Sequence, residues 1–209
     1  MLMNPRLYYV HDPMCSWCWG FDRTRKRLLE KLPSSIGVVR LLGGLAPDTD
    51  EPMQDEMRDY LQQTWRRIEQ RIPGTSFNFD FWQLCEPRRS TWPACRAVIA
   101  ARLQNAGYDE VMTAAIQEAY YLRAMNPSDE DNLVTLAGEA GLDQARFQRE
   151  LRSPAVQAQL EAEMQRGRAM GATAFPSLVL EHDGGFLQVP LNYTDEEAML
   201  EIIRMAVAD

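Results

Sequence analysis

The stretch HDPMCSWCWGF, residues 11–21, carries two cysteines with only a serine and a tryptophan between them. The segment RLYYV before it, residues 6–10, is rich in β-forming residues, and the apolar residues after Cys18 recur at helical spacing. A second strand is predicted over 37–43, which is apolar enough to be buried on both faces. Strand, helix and strand in this order predict a βαβ unit with two parallel strands.

The rest of the chain completes this pattern after a long helical interruption. Strands are predicted over 177–181 and 186–189, joined by the turn sequence DGG, and a final helix follows. The two halves of an α/β unit therefore bracket a helical block. We predict an α/β fold in which residues 1–48 and 171–209 form one domain and residues 49–170 form an α-helical insertion.

Composition and charge exclude several classes of function. The chain has 209 residues, of which 45% are apolar and 25% are charged, as in an ordinary globular protein. Its formal net charge of −8 argues against nucleic acid as a partner, because phosphate binding requires a basic surface. No apolar run is long enough to cross a membrane, and the first ten residues do not resemble a signal peptide. We therefore expect a cytoplasmic protein whose thiols are kept reduced.

Three interpretations of the dithiol are open: a redox centre, half of a zinc site, or an inert packed pair. Cys15 stands at the N-terminus of the predicted helix, where unpaired N–H groups and the helix dipole favour a thiolate. Cys18 lies one turn further on and, as the more buried thiol, would resolve the mixed disulfide that Cys15 forms. A zinc site would need Cys85 and Cys95, whose separation by nine residues is not a typical ligand spacing. We favour a redox centre, with Cys15 as nucleophile and Cys18 as resolving thiol.

These features resemble a known family over nearly the whole chain. A βαβ…ββα order with CxxC where the first strand meets the first helix is similar to the thioredoxin fold. The helical insertion and the sequence DPMCSWC resemble the DsbA-like thiol–disulfide oxidoreductases, and among them the signal-less FrnE-like branch. A second stretch, GATAFPSLVL at 171–180, resembles the loop that carries the family's cis-proline. The resemblance implies that Pro176 lies beside the dithiol and that Phe175 pairs with the substrate backbone.

Two residues near the cysteines have both a functional and a structural interpretation. Trp17 lies between the cysteines and is a candidate for substrate contact, because exposed aromatic residues tend to mark binding surfaces. His11 could donate a hydrogen bond or positive charge to the thiolate while titrating near neutral pH. Alternatively, His11 is a partly exposed residue at the end of a strand.

The second pair of cysteines is also ambiguous. Cys85 and Cys95 could form a regulatory disulfide or relay electrons to the first pair. Cys95 is followed by small apolar residues in a predicted helix, and free cysteine is commonly buried as a small apolar side chain. We favour that packing role for Cys95.

The function expected from the residues and the resemblance is thiol–disulfide exchange on protein or peptide partners, with glutathione as a further candidate partner. No metal ion or cofactor is expected. One alternative is a glutathione-linked transferase or isomerase that resembles the kappa and 2-hydroxychromene-2-carboxylate isomerase types, although these generally have serine where Cys15 stands. Another is a non-enzymatic module that binds peptides around Trp17 and Phe175. Reaction direction, substrate and oligomeric state stay open at this point.

Overall fold

The computed structural model describes residues 4–208. The chain begins with β1 (Arg6–His11), α1 (Ser16–Glu30) and β2 (Gly37–Leu42). Seven helices follow: α2 (Asp55–Arg71), α3 (Phe81–Leu84), α4 (Trp92–Gln104), α5 (Tyr108–Tyr121), α6 (Glu130–Glu139), α7 (Gln144–Leu151) and α8 (Pro154–Ala169). The chain ends with β3 (Ser177–His182), β4 (Gly185–Val189) and α9 (Glu196–Ala208). The predicted α/β class, with a βαβ…ββα order interrupted by helices, is confirmed, while the predicted domain boundaries stay a prediction.

The four strands form one mixed sheet in the order β2-β1-β3-β4. β1 runs parallel to β2, with Tyr9 opposite Arg40, and antiparallel to β3, with Tyr9 opposite Leu178. β3 and β4 form the antiparallel hairpin that the DGG sequence predicts, and Asp183 and Gly184 in that turn have positive φ angles. The two halves of the chain therefore meet along β1, directly before the dithiol.

The prediction that β2 is buried on both faces is wrong. β2 is an edge strand, and only its last two residues, Leu41 and Leu42, are buried. Val38 near its start is 43% exposed. An apolar strand sequence does not distinguish a central position from an edge position, because β-propensity depends on the neighbours that the fold supplies.

β1 divides the apolar core by its period of two. Leu7 and Tyr9 face a cluster formed with α1 and α9, which includes Leu28 and Ile203. Tyr8 and Val10 belong to a smaller cluster on the opposite face of the sheet. A further cluster lies mainly in the insertion and also includes Met14 and Leu42. In it, the indole of Trp65 is surrounded by aromatic rings: Phe77, Phe79, Phe81, Trp82, Tyr120 and Tyr121.

Ion pairs join the insertion to the sheet. Arg40 of β2 contacts Asp109 of α5 at 2.7 Å, and Arg102 of α4 contacts the same carboxylate at 3.2 Å. Arg102 also pairs with the buried Glu163 of α8, whose second oxygen accepts a hydrogen bond from the Leu42 N–H at 2.9 Å. Polar contacts therefore attach the edge strand to α5 and α8, and Arg102 of α4 contacts the same two carboxylates.

Candidate active site

The dithiol lies where β1 ends and α1 begins. Cys15 is the N-cap residue of α1 and has an extended backbone, and its N–H donates to the Asp12 carbonyl at 3.0 Å. Cys18 occupies the first turn of the helix. The exposed fractions are 6% for Cys15 and 0% for Cys18. Burial raises the pKa of the Cys18 thiol well above its ordinary value, and the neighbouring Cys15 raises it further.

The loop before β3 brings its backbone to Cys15. The Phe175–Pro176 peptide bond is cis. The Cys15 Sγ donates to the carbonyl oxygen of Phe175 at 3.3 Å, although 160 positions separate the two residues. The Phe175 ring is half-buried and packs on Gly43, where an added Cβ would lie 2.2 Å from a ring atom. The backbone of Phe175 therefore contacts the candidate nucleophile, while its ring packs on Gly43.

The two tryptophans of the motif have different surroundings. The half-buried Trp17 makes an edge contact with the Tyr193 ring at 5.2 Å, and the Arg71 guanidinium lies 5.9 Å from its ring centroid. Trp19 stacks on Tyr121 of α5 at 5.6 Å, and its indole N–H donates to the Ser76 carbonyl at 3.1 Å. Trp17 is therefore partly accessible beside the dithiol, and Trp19 packs against the insertion.

His11 does not have the environment that either interpretation of the sequence assumes. It is buried, and its ring stacks on Tyr9 with 4.7 Å between centroids. Within residues 4–208, neither ring nitrogen has a hydrogen-bond partner. Burial, together with the nearby positive charges of Arg40 and Arg25, lowers the pKa of His11 well below its ordinary value. The expectation of a partly exposed residue that titrates near neutral pH is wrong, because folding removes the ring from water.

Sequence reasoning missed Asp12, because an aspartate before a proline indicates no more than a turn. Its carboxyl group is fully buried. Oδ1 accepts from the Met14 N–H at 2.8 Å, while Oδ2 accepts from the Leu45 N–H at 2.8 Å and the Thr91 hydroxyl at 2.6 Å. Burial raises the pKa of Asp12, and these hydrogen bonds partly oppose that shift. Only an acceptor group could occupy this position, but no local sequence signal distinguishes it from a turn residue.

The other two cysteines are free thiols with different partners. Cys95, in the first turn of α4, is fully buried and donates to Asp12 Oδ2 at 3.4 Å. The half-buried Cys85 donates to the Ala124 carbonyl at 3.0 Å. Burial raises the pKa of both thiols. Cys95 is therefore buried as expected, but it also makes a polar contact that the packing interpretation does not include.

Two clefts open beside this region. A cavity of about 240 Å³ adjoins Phe175 and has mainly apolar walls: Val10, Gly43, Gly44, Leu45, Met164, Gly167, Arg168, Ala172 and Thr173. A larger cleft of about 390 Å³ adjoins Trp19 and Tyr193, and its walls include Arg23 and Arg27. No cluster of three or more His, Cys, Asp or Glu side chains suited to a metal ion occurs within residues 4–208. In the same part of the chain, no helix is long and apolar enough to cross a membrane.

Comparisons with known proteins agree with this geometry. The sequence profile of the thioredoxin family matches residues 8–187. The structure of a candidate protein disulfide isomerase from Nitrosomonas europaea superposes with a TM-score of 0.84, at 28% identity and over 97% of each chain. Cytosolic disulfide reductase DsbM from Pseudomonas aeruginosa superposes with a TM-score of 0.76, at 22% identity, over 96% of this chain and 98% of DsbM. The fold is therefore that of thioredoxin with a helical insertion.

The curated relatives that this chain matches are longer than the chain itself. The ClpXP adapter protein SpxH of Halalkalibacterium halodurans is 26% identical over 85% of this chain and 58% of SpxH. The protein of the same name from Bacillus subtilis is 25% identical over 94% of this chain and 67% of SpxH. This chain therefore spans about three fifths of the length of these relatives.

Proposed function

Because this chain belongs to the thioredoxin family, we propose that it is a thiol–disulfide oxidoreductase whose redox centre is the Cys15–Cys18 pair. The observation that carries the proposal is the placement of the two sulfurs. Cys15 begins a helix and contacts the Phe175 carbonyl at 3.3 Å, while Cys18 is buried in the following turn. This arrangement offers one thiol to a substrate and keeps the second thiol within reach of the first.

The proposed reaction has two exchange steps. The Cys15 thiolate attacks one sulfur of a substrate disulfide, so that a Cys15–substrate disulfide forms and the other substrate sulfur leaves as a thiolate. The Cys18 thiolate then attacks the Cys15 sulfur, the Cys15–Cys18 disulfide forms, and the second substrate thiolate leaves. Two electrons pass from the cysteine pair to the substrate, and the reverse sequence oxidises a substrate dithiol. The reduction potential of the pair relative to its surroundings decides the direction.

The neighbouring residues have separate roles in this proposal. The unpaired N–H groups at the start of α1 stabilise negative charge on Cys15. When Cys15 ionises, its sulfur no longer donates to Phe175, and that carbonyl becomes available to a substrate N–H. Pro176 lies beside the pair and leaves no N–H of its own to compete. Trp17 and the cavity beside Phe175 then contact the substrate side chains near its disulfide.

Protein or peptide thiols and disulfides are the proposed substrates, with glutathione as a candidate low-molecular-weight thiol. Arg23 in the cleft beside Trp19 supplies positive charge that suits a carboxylate-bearing thiol, whereas Arg27 in the same cleft is paired with Glu196. We place the activity in the cytoplasm, in agreement with the description of DsbM as a cytosolic disulfide reductase.

The test is the reduction potential of the pair. Protein with Cys85→Ala, which removes a half-buried thiol, is equilibrated with glutathione buffers and its free thiols are trapped by alkylation and counted by mass. We expect one two-electron transition that is lost in both Cys15→Ser and Cys18→Ser proteins. A pair that never forms a disulfide contradicts the proposal. Activity that survives in Cys18→Ser would instead support the glutathione-linked transferase or isomerase class.

A second candidate function is that of a protein-binding adaptor. It is favoured by the identity of 25–26% with the SpxH proteins over most of this chain. The discriminating variant is Cys15→Ser/Cys18→Ser, which cannot exchange disulfides. An adaptor would still bind ClpXP after this change. A protein that acts only as an oxidoreductase would lose its disulfide exchange activity and would bind ClpXP neither before nor after the change.

A further inference from the structure

Positively charged side chains of α2 lie beside the redox motif. The guanidinium of Arg71, in the last turn of α2, lies 5.9 Å from the centroid of the Trp17 ring. Arg67 precedes Arg71 by four residues and therefore lies on the same face of α2. Both arginines are exposed, and Trp17 is half-buried. Positive charge therefore borders the side chain that separates Cys15 from Cys18 in the sequence.

Arg23 extends this positive charge along α1. It lines the cleft of about 390 Å³ that Tyr193 also lines. A Cβ added at Gly74 would lie 2.8 Å from Arg23 Nη1, so this guanidinium rests against the loop that follows α2. Tyr193 also contacts the Trp17 ring, with 5.2 Å between centroids. Trp17 and the cleft therefore form one continuous surface, with Arg71 at the Trp17 end and Arg23 in the cleft.

The charge of these arginines is not compensated. No ion pair within residues 4–208 involves Arg23, Arg67 or Arg71. Like charges four residues apart on a helix repel each other and destabilise it slightly. The helix dipole favours a cation in the last turn of α2, but it accounts neither for Arg67 nor for Arg23 in another helix. In a protein with a net charge of −8, this surface is locally basic.

Two carboxylates near this surface have other partners. Asp22, which lines the same cleft, pairs with Arg25 at 2.7 Å and with Lys26 at 2.8 Å. Glu69 of α2 accepts a hydrogen bond from the Phe77 N–H at 2.9 Å. The arginines are therefore open to carboxylates that a ligand supplies.

The spacing of the positive charges fits a segment of peptide chain. Arg23 is six residues beyond Trp17 on α1, which corresponds to about 9 Å along the helix axis. An extended peptide covers that length in about three residues. Hydrogen bonds between a guanidinium and a carboxylate are charge-assisted and stronger than those between neutral groups. Acidic side chains within three residues of a substrate cysteine therefore match both arginines.

We propose that Arg71 and Arg23 make the protein selective for disulfides that lie in acidic peptide segments. Arg71 contacts the carboxylate next to the disulfide, and Arg23 contacts a second one further along the segment. The inference rests on the proposed function, because it requires the substrate cysteine to reach Cys15. The arginines bind and orient the substrate, and the opposite charges also raise the rate of encounter. Electrons pass only between the cysteine pair and the substrate disulfide.

The test compares three peptides that share one intramolecular disulfide. Two positions within three residues of one cysteine carry glutamate, glutamine or lysine. Each oxidised peptide is mixed in excess with reduced protein, and the oxidised protein is counted by acid quenching, alkylation and mass. At low salt we expect the glutamate peptide to react about 5- to 10-fold faster than the glutamine peptide, and the lysine peptide to react most slowly. In 1 M salt, where the Debye length is about 3 Å, the preference should fall below about twofold.

Charge variants assign this preference to the two arginines. Arg71→Glu should abolish or reverse the preference for glutamate over glutamine, Arg23→Glu should weaken it, and Arg71→Lys should retain most of it. The matched control is Arg149→Glu, because Arg149 is exposed on α7, which packs on α4, α6 and α8. Its preference should stay within about twofold of the original. A preference that is the same in all proteins, or that Arg149→Glu lowers as much as Arg71→Glu does, overturns the proposal.

Failure of the proposed function gives a different result. Binding of peptides with serine in place of cysteine is measured by fluorescence anisotropy on Cys15→Ser/Cys18→Ser protein. If no peptide oxidises the original protein but the glutamate peptide still binds most tightly, the charge selectivity stands and the proposed function fails. If all peptides react at equal rates, the proposed function stands and the selectivity is overturned. If Arg71→Glu slows the reaction with oxidised glutathione but with none of the peptides, the arginines serve a small thiol, and the proposal is overturned.

Discussion

The α/β half and the insertion each form one side of the candidate active site, and they contribute different chemistry. The α/β half supplies the atoms proposed to react, Cys15 and Cys18, and the backbone of Phe175 beside them. The insertion supplies none of the atoms proposed to react. It contributes buried polar contacts, in which Trp65 donates to Ser16 Oγ at 2.9 Å and Thr91 donates to Asp12.

The two layers that pack on the sheet also differ in the contacts that hold them. On the α1 and α9 side, the cluster that includes Leu28, Met199 and Ile203 is apolar, and its energy is approximately proportional to buried area. Ion pairs occur on both sides, but those of Arg27 and Lys31 with Glu196 of α9 involve exposed basic side chains, whereas Arg40–Asp109 and Arg102–Glu163 on the insertion side are more buried. Buried ion pairs add little net stability, but removing one partner is strongly destabilising. These charged contacts therefore hold the insertion in one orientation relative to the sheet. In that orientation Trp65 and Thr91 contact the residues next to the redox pair.

The largest expected effect tests whether the two sides differ in reactivity. Cys15→Ser should reduce turnover of a disulfide peptide by about a thousandfold or more, since a hydroxyl is not ionised at neutral pH and does not replace the thiolate. Cys85→Ser on the insertion side is the matched control, and its turnover should stay within about twofold, because surface-type changes away from a site have small effects. Comparable losses in both variants would show that the insertion also supplies a reacting thiol.

The next effect concerns the charged attachment of the insertion. Glu163→Ala should lower the free energy of unfolding by about 3 kcal/mol, because it leaves the buried Leu42 N–H without an acceptor and Arg102 with only Asp109 as a partner. Glu163→Gln keeps an acceptor for Leu42 and should lose about half of that amount. Denaturant unfolding measures both, with Glu161→Ala as the control, because Glu161 is exposed on the same helix. Equal stability of Glu163→Ala and Glu161→Ala would mean that the insertion does not depend on this pair.

The same difference explains what could be predicted from the sequence. The α/β half has local signals: alternating strands, a DGG turn, and a CxxC at a strand–helix junction. They predicted the element order, whereas the expectation that Pro176 lies beside Cys15 and Cys18 came from the family resemblance. The burial of Asp12 and Asp109 has no local signal, since an aspartate before proline indicates only a turn and an aspartate at a helix start indicates only a cap. Their buried roles depend on Thr91, Arg40 and Arg102, and a single sequence does not encode such long-range partners as a pattern.

A smaller effect tests the contact between the motif and the insertion. Ser16→Ala leaves the buried Trp65 indole N–H without an acceptor and should cost about 1–2 kcal/mol of unfolding free energy. The double-mutant cycle with Trp65→Phe isolates this contact. We expect the double variant to be more stable than the sum of the single losses predicts, by about 1 kcal/mol, because Trp65→Phe removes the unsatisfied donor. Strict additivity would show that the hydrogen bond does not couple the two regions.

The smallest effect is a pH dependence from His11, which lies where the two regions meet. The buried ring is neutral in the folded protein because its pKa is lowered, whereas the unfolded chain binds a proton below about pH 6.5. Protonation therefore favours unfolding, and the stability present above pH 6.5 should decrease by about 1.4 kcal/mol for each unit of acidification until the folded pKa is reached. His11→Phe and His11→Gln should both lose this contribution in urea unfolding of the reduced protein. Only His11→Phe should also gain about 1 kcal/mol at pH 7, because it removes two ring nitrogens without hydrogen-bond partners and keeps a ring that stacks on Tyr9. If both variants keep the original slope of unfolding free energy against pH between pH 6.5 and 5.5, the slope does not come from His11. The ring would then bind a proton in the folded protein as readily as in the unfolded chain.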